Sequence, residues 1–177
     1  MSDRINQEVI RGYVVDQLDH AIEKGYIRPY YQPVVRTLTG EICSMEALAR
    51  WEDPQYGLLS PAVFVPVLEE AQLIHKLDIC IIQNICEHYA TLLRLKRKIV
   101  PVSFNLSRLD FQLCDIHGII EKAIRDNKLP RDIFQVEITE SMMDSGEEQM
   151  HEAVDCFWDS GLRVWMDDFG SGYSSLN

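Results

Sequence analysis

The chain has 177 residues, 46% hydrophobic and 25% charged, a composition that fits one folded domain with a sizeable core and excludes a disordered chain. Its net charge of −11 excludes a nonspecific grip on duplex nucleic acid, because that grip comes from neutralising phosphates. There is no apolar run near the roughly 20 residues of a membrane span and no apolar leader, and the five scattered cysteines lack a C-x-x-C pair, so reduced thiols and a cytoplasmic home are expected.

Residues 5–25 place Ile5, Val9, Tyr13, Leu18 and Ile22 at helical spacing and stop at Gly25, which predicts a helix that connects to whatever precedes the domain. Arg28–Arg36 is a short β-prone run interrupted by Pro33, and Thr37–Glu41 is a turn. Ile42–Trp51 reads as a second strand and 52–61 as a loop, with Ser60 as N-cap and Pro61 at the first helical position. Helices are expected over 61–70 and 73–94. The basic run Arg94-Leu-Lys-Arg-Lys98 then sits at a helix end, where cations complement the dipole. Val100–Ser107 is a third strand, 108–127 a helix-containing crossover, Phe134–Glu140 a fourth strand, 145–160 a helix and Leu162–Asp168 a fifth strand. Strands separated by helices pair in parallel, which predicts an α/β sheet.

Residues two apart on a strand share a face, so Glu46, Leu48 and Arg50 line up, as do Ser103, Asn105 and Ser107, and Gln135, Glu137 and Thr139. Asp167 follows Arg163 and Trp165 at the same parity. Every strand after the first therefore carries an oxygen ligand near its carboxyl end, where parallel α/β folds build their sites. Taken singly, each has an ordinary alternative: a strand Glu forms a rim salt bridge, and Asp167-Asp168-Phe169-Gly170 is a helix-capping turn. Together, hard oxygens without His or Cys favour Mg²⁺ or Mn²⁺ over Zn²⁺. Two such ions bridged by Asp167 would hold a phosphodiester and activate a bound water.

These residues also carry a family resemblance. Glu46-Ala-Leu-Ala-Arg-Trp51 resembles the motif that names the EAL domains, bacterial cyclic di-GMP phosphodiesterases. The likeness continues in order through Tyr31-Gln-Pro33, Gly57-Leu-Leu-Ser-Pro61, Phe104-Asn-Leu-Ser107, Glu137-Ile-Thr-Glu140 and Asp167-Asp-Phe-Gly-Ser-Gly-Tyr-Ser-Ser-Leu176. It implies an α/β fold, a modified (β/α)8 TIM barrel whose first strand runs antiparallel to the rest, with residues 1–25 as a connector and 26–177 as a partial EAL domain. It implies hydrolysis of cyclic di-GMP to linear pGpG with two Mg²⁺ or Mn²⁺ ions. Glu46, Asn105, Glu137 and Asp167 would ligate the first ion, and Asp167 would bridge to a second with help from Asp168. Glu46, Asp167 and Asp168 form the catalytic set. Gln32, Leu48 and Arg50 would face the nucleotide, and Glu140 would steady the loop that starts at Asp168.

The family pattern continues for three more strands that bear a Lys, a Glu and a Gln near the site. The 177 residues supply five strands of the eight, so the expectation is an amino-terminal portion with an under-ligated second ion and negligible turnover by itself. A longer parent would add a cyclase or sensory domain, and a homodimer is expected to cover the edge of the fifth strand. The rival reading is a non-catalytic EAL-type receptor or protein-interaction module.

Overall fold

The computed structural model describes residues 2–139 and 148–167. Its centre is a sheet in the order β1-β2-β4-β5-β6. β1 (Ile27–Val35) pairs antiparallel with β2 (Ile42–Asp53), and β2 then runs parallel to β4 (Val102–Asn105), β5 (Phe134–Thr139) and β6 (Arg163–Asp167). A short β3 (Gly57–Leu59) folds back on the end of β2. Helices α2 (Pro61–Glu70) and α3 (Ile74–Arg94) lead to β4, α4 (Arg108–Leu113) and α5 (Ile116–Asp126) lead to β5, and α6 (Glu148–Asp159) precedes β6. The open barrel-like sheet with an antiparallel first strand is the fold that the motifs imply.

The outer face of the sheet is apolar because one parity of each strand is apolar. Ala47, Trp51, Val102, Phe104, Phe134, Val136 and Ile138 are all buried, facing a helical layer led by α3. That helix gives Leu77, Ile81, Ile85 and Tyr89 to the core at helical spacing, and its last turn carries Arg94 as expected. Half of α1 (Ser2–Glu23) belongs to the same core through Val14, Leu18 and Ala21.

Three elements differ from the sequence reading. Pro33 does not interrupt β1, and Pro29 also lies within it. β1 is an edge strand, and two prolines of like parity can both turn their nitrogens away from β2. Residues 52–61 are not simply a loop: β2 runs on to Asp53 and turns into β3. Asp53 Oδ1 accepts the Gln55 and Tyr56 N–H groups at 2.8 and 2.9 Å, and Gly57 supplies φ +75°. The 108–127 crossover is two helices, because Asp115 caps a new one by accepting the Gly118 N–H at 3.0 Å. Ser60 does occupy the N-cap of α2 with Pro61 after it, but its side chain makes no capping bond.

Candidate metal and nucleotide site

The register brings the expected ligands to one face. Gln32 lies opposite Glu46, Glu46 opposite Ser103, Ser103 opposite Gln135, and Gln135 opposite Arg163. Two residues further along, Asn105 lies opposite Glu137 and Glu137 opposite Trp165, and another two on, Thr139 lies opposite Asp167. The candidate ligands thus climb the sheet in a staircase: Glu46 lowest, Asn105 and Glu137 one step up, Asp167 one step higher. Barrel strands tilt and stagger in this sense, so residues that climb along the register converge at one height. The backbone of Asp167 lies in β6, but its side chain, Asp168 and Glu140 lie outside the described residues.

Below this row the inner face is closed by polar contacts. Gln135 is 3% exposed, and its Oε1 lies 3.3 Å from the Ser44 Oγ, which also reaches the Pro101 carbonyl at 3.1 Å. The upper end is open. A cavity of about 290 Å³ lies between the sheet and the helices, with Ala47 and Leu48 from the middle of β2 and Asn105 and Thr139 from the ends of β4 and β5 on one side, and Glu69, Leu77 and Asp78 on the other. The donor set fits a hard divalent cation: two carboxylates and an amide on one face, with no Cys or His among them. Among the described residues no three His, Cys, Asp or Glu side chains surround a common point. The set therefore depends on the Asn105 amide oxygen and on Asp167.

Arg50 is held by its neighbours. Its Nη1 donates to the Ala49 carbonyl at 2.8 Å, and its guanidinium carbon lies 6.0 Å from the centre of the Tyr30 ring. The Tyr30 hydroxyl donates to Glu52 Oε1 at 2.9 Å, and Arg28 approaches the other oxygen of Glu52 at 3.9 Å. That hydrogen bond to a carboxylate, and then partial desolvation, push the Tyr30 phenol above its ordinary range. Trp51, wholly buried, meets Phe64 of α2 edge-on at 5.9 Å, which fixes the strand beneath Arg50. The sequence reading passed over Tyr30 and Glu52. Their parity with Gln32 and Arg50 was the available signal.

A second cavity, of about 300 Å³, lies between α1 and the β2–β3 turn. Both oxygens of Asp53 are already engaged there, Oδ2 by the Tyr13 hydroxyl at 2.8 Å and Oδ1 by the turn amides. Burial and the Asp53 carboxylate push the Tyr13 phenol up to about 12. This arrangement fastens α1 to the hairpin.

Comparison with known proteins agrees with the fold. The EAL domain family matches residues 15–177. The chain belongs to the EAL domain family. The chain is 32% identical over 174 residues to the cyclic di-GMP phosphodiesterase PdeR of Escherichia coli K12, covering 98% of this chain and 26% of PdeR. It is 32% identical over 165 residues to the probable cyclic di-GMP phosphodiesterase PdeG of the same organism, covering 90% of this chain and 32% of PdeG. Among solved structures, the PaMucR phosphodiesterase in complex with c-di-GMP superposes with a TM-score of 0.83 at 29% identity, covering 93% of this chain and 66% of that one. The chain thus spans less than a third of these curated relatives. In this EAL domain no described helix is long and apolar enough to cross a membrane.

Proposed function

We propose that this chain forms the amino-terminal part of a metal-dependent phosphodiesterase that hydrolyses cyclic di-GMP to linear pGpG. The observation that supports the reading is the register staircase of Glu46, Asn105, Glu137 and Asp167 across β2, β4, β5 and β6, with Glu46 in the middle of β2 and the other three near the carboxyl ends of their strands. Mg²⁺ or Mn²⁺ held there would polarise a phosphoryl oxygen and lower the pKa of a bound water. Glu46, Asn105, Glu137 and Asp167 hold the first ion, and Asp167 with Asp168 reaches toward a second. Arg50, pre-set by Ala49 and Tyr30, donates to a nucleotide phosphate as a charged partner, while Gln32 and Leu48 on the same face border the nucleotide. Glu140 steadies the loop that begins at Asp168.

All five cysteines are unpaired, and burial pushes the Cys80, Cys86 and Cys114 thiols up to about 11, 12 and 11. Such thiols stay protonated and inert, which supports a reducing cytoplasm. α1 serves as the connector, with a cyclase or sensory domain in a longer parent, and residues 26–177 form the EAL portion. β6 pairs only with β5 among the described residues, and its Trp165 and Met166 are about half exposed. In the 177-residue chain a second copy covers this edge, which light scattering reads directly as a dimer.

The deciding experiment is a Mn²⁺ titration of the 177-residue chain. Glu46→Ala or Glu137→Ala should weaken binding at least about tenfold, or about 1.4 kcal/mol. Identical titration curves for wild type and both variants would remove the metal site. Incubation with cyclic di-GMP then separates an enzyme portion from a receptor. A chain reaching β6 should give negligible pGpG and a longer parent substantial pGpG; nucleotide binding with no turnover in either would make it a receptor.

A further inference from the structure

Behind Asn105, on the helical side of the β4 end, acidic side chains from three helices crowd together. Asp110, in the first turn of α4, is wholly buried. Its Oδ2 accepts the Ser107 N–H at 2.7 Å, the reciprocal half of a capping box whose other acceptor is the Ser107 Oγ. Its Oδ1 is buried and meets no N–H or hydroxyl donor. The group within hydrogen-bonding reach of Asp110 is the carboxyl of Asp78, on α3. Glu69, at the end of α2, adds another acid by accepting the Ser107 Oγ–H at 2.9 Å. Asp110 is wholly buried and Asp78 half-buried, and two carboxylates facing each other at such a place repel strongly unless they share a proton.

We propose that Asp78 donates a shared proton to Asp110, and that this acid–carboxylate bond positions Asn105 by fastening the β4–α4 turn to α3. Only Leu106 separates Asn105 from the capping box, and the Leu106 N–H donates to the Glu137 carbonyl at 3.0 Å. The turn is therefore pinned to β5 on one side and to the acid pair on the other. Asp78 and Asp110 are positioning residues: they act on the metal only through the backbone that carries Asn105. This role rests on the reading of Asn105 as a ligand, whereas the shared proton does not.

The surroundings favour the protonated pair. Burial first, and then the charge of Asp110, hold the Asp78 carboxyl well above the usual carboxylate range. Burial also raises Asp110, opposed by the Asp78 hydrogen bond, the Ser107 N–H and His75. The titratable groups that act with the pair are Glu69 from α2, His75 from α3 and Cys114 after α4. The folded chain keeps a proton that the unfolded chain releases above about pH 4, so folding stability falls as pH rises from there through the folded value of the pair. Asp78→Asn offers the same donor without a titrating proton and should abolish that slope.

The test uses the 177-residue chain as wild type, Asp78→Asn, Asp78→Ala and Asp110→Asn. Infrared spectra at neutral pH should show a protonated carboxylic acid band in wild type that Asp78→Asn and Asp110→Asn both lose. Between about pH 5 and pH 8 the melting temperature of Asp78→Asn should rise relative to wild type. Exchange of the Leu106 amide should speed up in Asp78→Ala but not in Asp78→Asn, and Mn²⁺ affinity should fall about tenfold in Asp78→Ala alone of the two. No acid band in wild type, or parallel pH slopes for wild type and Asp78→Asn, overturns the shared proton. Unchanged Leu106 exchange in a folded Asp78→Ala overturns the positioning role. A wild-type chain that binds no Mn²⁺ instead defeats the metal reading, and the infrared, melting and exchange results still decide the acid pair.

Discussion

The two faces of the one sheet are built from alternate residues of the same strands, yet they do different work. The outer parity of β4 and β5 (Val102, Phe104, Phe134, Val136, Ile138) is no more than 2% exposed. The inner parity holds Ser103, Asn105, Gln135, Glu137 and, at the end of β6, Asp167. Burial of apolar area drives folding, so the outer face fixes where the strands lie. The inner face contributes little to that and is open to carry oxygen donors. The comparison teaches that parity alone, one residue apart along each strand, separates the buried apolar side chains from the oxygen-bearing ones.

The separation can be broken most severely from the outside. Phe104→Ala should cost about 3–5 kcal/mol in denaturant unfolding, because a cavity opens under β4. The neighbouring inner-face change Asn105→Ala should leave stability within about 0.5 kcal/mol, as partly exposed substitutions do. If the two changes cost the same, the two faces are not separable. A smaller effect sharpens the inner face itself. Arg50→Lys keeps the charge but loses the planar fork, and should weaken cyclic di-GMP binding by about 1.5–3 kcal/mol in calorimetry without moving the unfolding midpoint. The smallest effect tests the rim. Tyr30→Phe removes the bond to Glu52 but leaves the ring beside Arg50, so nucleotide affinity should drop by no more than about 1 kcal/mol, whereas Tyr30→Leu should cost more. Equal losses in the two variants would mean that the hydroxyl, not the ring, holds Arg50.

Much of this was legible from local pattern. The helical spacing of Leu77, Ile81, Ile85 and Tyr89 marked α3, and strand parity alone placed Glu46 with Arg50 and Glu137 with Thr139. The ordered motifs from Tyr31 to Leu176 identified the family. Less legible were β3 and the split crossover, since three residues of strand or one capping Asp115 give too little periodicity to detect. Pro33 reads as a break because proline disfavours an inner strand, and only the sheet order shows that β1 is an edge.

The sequence by itself determined which residues are apolar, which carry oxygen, and which parity each belongs to, because period two and period 3.6 are properties of a single segment. Only the tertiary structure decided the register. It lifts Asn105 and Glu137 one step above Glu46 and Asp167 one step above them, and no single strand encodes its offset from the next. It also decided that Asp78 and Asp110, 32 residues apart on two helices, meet behind Asn105. Neither acid is unusual within its own helix. What sets them apart is that packing brings the two carboxyl groups together with Asp110 wholly buried, where like charges repel.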